Sequence, residues 1–251
     1  MRFHLFGEKT NPVMLLIHGA LTPWQIWQTQ IDHFSRTYYV AAVVLDGHEE
    51  EEPSEFVSLE KEAAQIESFC KEQGWTHVQA VCGISMGGAV ANCLWCRQNL
   101  PIRQLVLDGA PLISCGGLLC RIMTSNYLSI IRRSRKRDPA TLRAFSRDFL
   151  PEVHLPSYLR IADHISEDTI RHMIGVMATT RIPVKSPDPS TKLLFIHGTK
   201  GNEILSKKSA RQMQAVHPEM QIHCCKGDVH CYKAIWQPSE WISIVEDFLS
   251  A

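Results

Sequence analysis

The stretch Gly83-Ile84-Ser85-Met86-Gly87 constrains the fold more than any other part of this sequence. An apolar run at 78–81 precedes it and a segment of helical composition at 89–96 follows, so Ser85 lies where a strand passes into a helix. A serine on so sharp a turn leaves no room for a Cβ two residues to either side, which accounts for both glycines. The stretch therefore predicts a strand, a tight turn and a helix, with the Ser85 hydroxyl above the end of a sheet.

Strand-like apolar runs alternate with helix-like segments along most of the chain. This alternation favours a mostly parallel sheet of about six to seven strands with helices packed against it. Only one short run, at 3–6, precedes the strand at 13–17, so the N-terminal edge of the sheet is expected to be trimmed. The predicted strands lie at 3–6, 13–17, 38–45, 78–82, 105–107, 192–196 and 220–225.

Composition excludes several classes of protein. The chain has 251 residues, 45% of them hydrophobic, which is enough for one α/β domain with a buried core. Lysine plus arginine and aspartate plus glutamate both total 26, so no net charge attracts nucleic acid or an anionic membrane. The first residues lack the apolar core of a secretion signal, and no segment reaches the roughly 18 apolar residues of a spanning helix. We expect a cytoplasmic protein that binds no nucleic acid and has no transmembrane segment.

The nine cysteines are expected to be free thiols, since a protein without a secretion signal is expected in a reducing compartment. Cys93 and Cys96 form a C-x-x-C pair, but they fall inside the helix predicted after Ser85. No second pair lies at the spacing of zinc ligands. Buried thiols are therefore favoured over a redox or metal site, and no metal or organic cofactor is expected.

Two more motifs accompany the Ser85 turn: His18-Gly19 after an early strand, and Gly227-Asp228-Val229-His230 near the C-terminus. Together they resemble the α/β-hydrolase superfamily, in particular the compact serine hydrolases with a helical cap. The resemblance covers nearly the whole chain and implies the α/β-hydrolase fold, with Ser85 as the nucleophile. It also implies that the strand-free stretch at 112–187 is an inserted helical lid on a core formed by residues 1–111 and 188–251. Helices are predicted in that stretch at 118–133, 139–150 and 167–179.

A serine nucleophile needs a base that takes its proton and donors that stabilise the oxyanion. His230 is the predicted base, because it lies on a glycine-opened loop after the last strand and Pro238 follows, as in the family's G-x-x-H pattern. By the same resemblance, the oxyanion donors are the backbone N–H groups of Met86 and Ala20, with Leu21 as the alternative to Ala20.

The acid that orients the base has two candidates. Family members commonly place the acid after the penultimate strand, as the Asp of a His-Gly-x-x-Asp pattern. This chain has Gly201 at that position. Glu203 lies two residues further on and reaches the site if the loop bulges. Asp108 ends the strand that follows the helix after Ser85. This strand end is the other position that the superfamily uses for the acid. We favour Asp108 and keep Glu203 as the alternative, with Asp228 third because it is too near His230 along the chain.

Two charged segments remain. The acidic loop at 49–55 is expected to be solvated and, if it overhangs the pocket, to disfavour anionic substrates. The basic run at 132–137 is expected to be a solvated face, with contact to an acidic partner, anionic headgroups or an anionic substrate tail as the alternative.

The resemblance implies a serine hydrolase that cleaves an ester or thioester through an acyl-enzyme. Pocket residues such as Trp24, Met86 and Met123 suggest a small-molecule substrate with an apolar acyl part. Fold alone does not fix function, so two alternatives are kept. One is a non-catalytic ligand-binding or signalling protein on a hydrolase scaffold, and the other is a C–C hydrolase or lyase.

Overall fold

A seven-stranded sheet forms the centre of the computed structural model, which describes residues 1–201 and 203–251. The strands are β1 (Arg2–Phe6), β2 (Val13–Ile17), β3 (Tyr39–Val44), β4 (Val78–Ile84), β5 (Ile102–Asp108), β6 (Lys192–His197) and β7 (Gln221–Cys224). Their order across the sheet is β1-β3-β2-β4-β5-β6-β7. The β1 strand runs antiparallel to β3, and the other neighbouring strands are parallel. The mostly parallel sheet predicted from the sequence is confirmed, with its single short strand at the N-terminal edge.

Helices cover both faces of this sheet. They are α1 (Gln28–Phe34), α2 (Leu59–Glu72), α3 (Met86–Arg97), α4 (Gly117–Arg135), α5 (Pro139–Asp148), α6 (Leu155–His164), α7 (Glu167–Thr179), α8 (Glu203–Val216), α9 (Tyr232–Trp236) and α10 (Pro238–Ser250). Every side chain of β3 is buried, and successive side chains of a strand point to opposite faces, so neither face is open to solvent. The α1 helix packs against α10, and α2 packs against α3.

Four helices, α4 to α7, lie between β5 and β6, in the stretch expected to form the lid. The α4 helix contacts each of the other three, so these helices form one packed group. We call this group the cap. The division of the chain at residues 112 and 187 stays a prediction.

The basic run lies on the surface, as expected, but its arginines also connect cap helices to one another. Arg132 forms an ion pair with Glu167 of α7 at 2.7 Å. Arg137 forms an ion pair with Asp163 of α6, also at 2.7 Å. Arg135 donates hydrogen bonds to two carbonyl oxygens at the end of α6. The positive charge of this segment is therefore largely matched by groups of the cap itself.

The acidic loop is only partly the solvated loop expected: Glu51, Glu52 and Glu55 are exposed, whereas Glu49 and Glu50 are not. Glu49 is only 8% exposed and lies 3.2 Å from the Arg2 guanidinium. Glu50 accepts a hydrogen bond from Gln25 at 2.6 Å and forms an ion pair with Arg160 of α6 at 2.5 Å. The loop thus joins the core to the cap, because these carboxylates have cationic or amide partners nearby that the sequence pattern does not reveal.

Within residues 1–201 and 203–251, no helix combines the length and the apolar character needed to cross a membrane. The same residues contain no group of three or more His, Cys, Asp or Glu side chains placed to hold a metal ion.

Candidate active site

Ser85 occupies a strained turn between β4 and α3, with φ 51° and ψ −119°. A Cβ added at Gly83 would lie 2.4 Å from the carbonyl oxygen of Gly87, and one added at Gly87 would lie 2.3 Å from that of His18. Neither position therefore accepts a side chain, as the sequence pattern predicted. Positive φ at a non-glycine residue costs free energy and persists where the surrounding structure enforces it, often at functional sites.

His230 lies beside this serine, on the loop between β7 and α9. The Ser85 hydroxyl donates a hydrogen bond to His230 Nε2, with 2.9 Å between oxygen and nitrogen. The imidazole packs closely against Gly109: a Cβ added at Gly109 would lie only 3.0 Å from His230 Nδ1. This close packing helps to fix the position of the imidazole. The structure thus brings together the two residues that the sequence proposed as nucleophile and base.

Glu203 holds the other side of the imidazole. Its Oε1 accepts a hydrogen bond from His230 Nδ1, and its Oε2 accepts one from the Gly198 N–H at 2.7 Å. The Ser206 hydroxyl lies 3.2 Å from Oε1. Burial acts to raise the pKa of Glu203, which is 1% exposed, but the hydrogen bonds and the nearby imidazole outweigh burial and lower the pKa overall. This carboxylate is therefore charged at neutral pH.

Asp108, the acid favoured from the sequence, does not contact the imidazole. Its Oδ2 accepts a hydrogen bond from the Trp241 indole N–H at 3.0 Å, and its backbone carbonyl accepts the Ser85 N–H at 2.7 Å. Burial, together with the charge of nearby Glu203, raises the pKa of Asp108 to about 7. The expectation that Asp108 orients His230 is thus corrected, because its side chain is directed to α10 and Glu203 occupies the position at Nδ1. The third candidate, Asp228, lies 3.4 Å from the Lys233 ammonium.

Two backbone N–H groups face the space above Ser85. Among the described residues, those of Ala20 and Met86 have no hydrogen-bond acceptor, and both residues line the same cavity as Ser85. Met86 begins α3, whose N-terminus favours negative charge. The Leu21 N–H is already used, since it donates to His48 Nε2 at 2.9 Å. This geometry favours Ala20 over Leu21 as the second oxyanion donor.

Two buried histidines hold the loop that carries Ala20. His48 accepts the Leu21 N–H on Nε2, and its Nδ1 lies 3.2 Å from a backbone carbonyl oxygen. His18 accepts the Leu45 N–H on Nε2 at 3.1 Å and donates from Nδ1 to the Gly19 carbonyl at 2.8 Å. Burial lowers the pKa of His18 to about 3 and that of His48 to about 4, so both rings are neutral. The sequence pattern drew attention to His18 only through the His18-Gly19 motif and not to His48, although the two residues follow β2 and β3, which are neighbours in the sheet.

A cavity of about 480 Å³ opens beside Ser85 and His230. Side chains from both the core and the cap form its walls, and most are apolar. They include Leu21, Met86, Leu119, Met123, Tyr127, Ile130, Phe145, Met173, Ile174, Met177, Leu205 and Ile235. Met86 and Met123 lie in this wall as predicted, but Trp24 does not, because its ring stacks on His4 at a centroid distance of 4.2 Å. The described lining contains four titratable residues: Tyr127, Asp148, His230 and Cys231. It contains no lysine or arginine.

Residues 14–227 match the model of the alpha/beta hydrolase family. The chain belongs to this family. The match spans β2 to the loop that carries His230, so it includes the Ser85 turn and Glu203.

Known proteins agree with this membership at the level of the fold. The chain is 30% identical over 116 residues to Epoxide hydrolase 3 of Xenopus tropicalis, an alignment that covers 44% of this chain and 31% of that protein. The matched part is therefore less than a third of that relative. A putative alpha/beta hydrolase family protein from Desulfitobacterium hafniense superposes with a TM-score of 0.76 at 21% identity, covering 99% of this chain and 100% of that one. An esterase described as from a marine microorganism has a TM-score of 0.77 at 18% identity, covering 98% of both chains.

Proposed function

We propose that this hydrolase-family chain is a serine hydrolase that cleaves a carboxylic ester or thioester through an acyl-enzyme on Ser85. The observation that carries the proposal is the continuous hydrogen-bonded series from the Ser85 hydroxyl to His230 Nε2, at 2.9 Å, and from His230 Nδ1 to Glu203. A serine is activated when a base takes its proton and a carboxylate fixes the base's tautomer. All three groups are present here with the required connectivity.

The same geometry supplies each step of acyl transfer. His230 Nε2 removes the Ser85 proton as the oxygen attacks the substrate carbonyl, and Glu203 stabilises the imidazolium that results. The N–H groups of Ala20 and Met86 donate hydrogen bonds to the oxyanion, and each such donor contributes about 3 kcal/mol to transition-state stabilisation. His230 then protonates the leaving alcohol or thiol. A water molecule, activated by the same imidazole, hydrolyses the acyl-enzyme and regenerates Ser85.

The cavity supports a substrate with an apolar, uncharged acyl part. Its walls are mainly aliphatic, thioether and aromatic groups, and its described lining offers no lysine or arginine to pair with an anion. A charged acyl chain would lose its hydration there without gaining a counter-ion, which is costly.

Epoxide hydrolysis is a second candidate only because a partial relative carries that name. The chemistry at Ser85 disfavours it as a covalent route. A serine alkoxide that opened an epoxide would form an ether, which water does not hydrolyse under these conditions, whereas an acyl-enzyme ester is readily hydrolysed. The activated serine likewise argues against the non-catalytic binding protein, which has no use for a base at 2.9 Å from a hydroxyl.

Fluorophosphonate labelling tests the proposal, because the reagent reacts with activated serines. We expect stoichiometric labelling of the wild-type chain at Ser85 and hydrolysis of p-nitrophenyl butyrate, with both lost in Ser85→Ala. Loss of a nucleophile typically lowers kcat by several powers of ten. Absence of labelling, under conditions that fully label a known serine hydrolase, would favour the binding protein. Turnover of styrene oxide that survives in Ser85→Ala would favour an epoxide hydrolase with another nucleophile.

A further inference from the structure

Two thiols lie unusually close together where the chain enters the cap. Cys115 is two residues before α4, and Cys120 is in the first turn of that helix. Their sulfur atoms are 2.7 Å apart, and both cysteines are free. A disulfide has a sulfur–sulfur distance of about 2.05 Å, so a movement of less than about one ångström separates this contact from a covalent bond.

We infer that Cys115 and Cys120 form a reversible disulfide when the protein meets a hydroperoxide, which makes the cap entrance a redox modification site. The pair is held in place on both sides. The Cys115 N–H donates to the Met177 carbonyl of α7 at 3.2 Å, and the Cys120 N–H donates to the Gly116 carbonyl at 3.1 Å. The backbone at both cysteines is thus fixed while their sulfurs face one another.

The intervening residues give the chain the freedom that ring closure needs. Gly116 has a φ of 80°, in the left-handed region that favours glycine. A Cβ added at Gly116 or Gly117 would meet no atom within 4 Å, so packing does not demand glycine at either position. The physical effect of Gly116 and Gly117 is therefore to give the backbone between the two cysteines conformational freedom.

Exposure assigns the two sulfurs different roles. Cys115 is half-buried and its chain neighbours, Ser114 and Gly116, are exposed, whereas Cys120 is 6% exposed. Burial, together with the hydrogen bond to Cys115, raises the pKa of Cys120 to about 12. Cys115 is therefore the sulfur that an external oxidant reaches, and Cys120 is the resolving thiol.

The reaction balances with the hydroperoxide as the two-electron oxidant. The Cys115 thiolate attacks the terminal peroxide oxygen, the O–O bond breaks, and an alcohol or water leaves with the proton, giving a sulfenic acid. The Cys120 sulfur then attacks the Cys115 sulfur, the S–O bond breaks, and the hydroxyl leaves as water with the Cys120 proton. In total, two thiols and one hydroperoxide give one disulfide, one alcohol or water, and one water.

The modified site adjoins the proposed substrate cavity, and this part of the inference rests on the proposed function. Leu119 and Met123 of α4 line that cavity, and so does Met177, the residue whose carbonyl holds Cys115. A disulfide across the first turn of α4 would fix the joint between α4 and α7. Cap movements that admit a long acyl chain would then be restricted.

Mass mapping tests the modification without reference to activity. The reduced full-length chain is treated with graded hydrogen peroxide, denatured, alkylated with iodoacetamide and digested. We expect the peptide that joins Cys115 and Cys120 to lose about two mass units and to resist alkylation until dithiothreitol is added. Cys93 and Cys96 are the matched control, because burial raises the pKa of these thiols to about 12 and about 11, and they should remain alkylatable.

Cys120→Ser is expected to stop the reaction at the sulfenic acid of Cys115, trapped by dimedone. Alkylation of both cysteines after oxidation would overturn the inference, as would sulfinic acid at Cys115 with Cys120 still free, or earlier oxidation of Cys93 and Cys96.

A second arm measures the effect on turnover. We expect oxidised wild-type protein to hydrolyse p-nitrophenyl octanoate at about one fifth of the rate of the reduced protein, and dithiothreitol to restore that rate. The same oxidation should leave the rate of Cys120→Ser unchanged. A disulfide without any change in turnover would overturn the coupling to the cap and leave the modification site supported. Failure of Ser85 to label with fluorophosphonate would remove the proposed function, whereas the mapping result would stand unchanged.

Discussion

Glu203 and Asp108 are two buried carboxyl groups close to one imidazole, and their surroundings give them different charge states. Glu203 accepts hydrogen bonds from His230 and the Gly198 N–H, which favour its ionised form. The Asp108 carboxyl accepts a hydrogen bond from the Trp241 indole, in a buried site next to the Glu203 charge. Since two adjacent buried carboxyl groups do not both ionise cheaply, the one with more donors keeps the charge.

The first prediction separates these two carboxyl groups. Glu203→Gln should lower kcat for p-nitrophenyl butyrate by about a hundredfold or more, because the amide no longer holds the imidazole in the required tautomer or stabilises the imidazolium. Asp108→Asn is the matched control: it keeps an acceptor for Trp241 and should change kcat by only a few fold. A larger loss in Asp108→Asn than in Glu203→Gln would return the role of acid to Asp108.

The second prediction concerns His48 and acid stability. The pKa of His48 is lowered to about 4 in the folded protein, below its ordinary 6.5. Below about pH 6.5 the unfolded chain therefore binds a proton that the folded chain does not, and folding stability is lost as the pH falls towards about 4. His48→Gln keeps an acceptor for the Leu21 N–H but cannot titrate. Between about pH 6.5 and about pH 4, the wild type should lose up to about 3 kcal/mol more unfolding free energy than this variant.

Urea unfolding of both proteins at several pH values measures that difference. Leu21 and Ala20 share the loop that His48 holds, so kcat at about pH 7 should be similar in the two proteins if Gln accepts the same N–H. Parallel acid destabilisation of wild type and variant would show that another group carries the pH dependence.

At the scale of elements, the sequence predicts apolar strands well and helix starts poorly. The β2 and β4 strands are recognisable because nearly all their side chains are buried and apolar. The sequence analysis placed Glu203 in a loop, but α8 begins at this residue. That difference explains why Asp108 was favoured as the acid. A loop residue at this position would need a bulged loop to reach His230. As the first residue of α8, Glu203 reaches the imidazole without such a bulge.

The short helices α6 and α9 were also missed, because proline and mixed polarity hide a helical period in so few residues. Ser85 and His230 were identifiable as candidate catalytic residues because glycine patterns mark their turns. Contacts between distant segments, such as Trp241 with Asp108 or Glu50 with Arg160, leave no trace in a local pattern.

The third prediction tests how the cap helices are joined. Arg135 donates to the carbonyl oxygens of Ala162 and Ile165, which belong to buried residues, and removing it leaves both acceptors unpaired. Unsatisfied buried acceptors cost about 1–3 kcal/mol. An exposed ion pair such as Arg132 with Glu167 contributes little, because solvent screens it. Arg135→Ala should therefore lower Tm by about 2–6 °C, and Arg132→Ala by no more than about 2 °C. Differential scanning calorimetry makes the comparison, and equal shifts would contradict this assignment.

At the scale of the whole molecule, the core supplies the proposed reacting groups and the cap supplies most of the apolar wall. Ser85, His230 and Glu203 all follow the carboxyl ends of parallel strands, where neighbouring strand ends bring distant residues together. Leu119, Met123 and other cap side chains enclose the space above them. In the proposed function, chemistry and substrate selection are therefore encoded in separate parts of the chain.

The fourth prediction follows from this division. Burying one methylene group contributes about 0.8 kcal/mol, so kcat/KM for p-nitrophenyl esters should rise about fourfold per added carbon from acetate until the cavity is full, and then fall. Met123→Trp places a larger side chain in the cavity wall and should move the optimum to a shorter acyl chain. Ser125→Trp, on the exposed side of the same helix, is the matched control and should leave the optimum unchanged. A flat chain-length profile, or equal shifts in the two variants, would place the acyl group outside this cavity and make the leaving group the part that the cap selects.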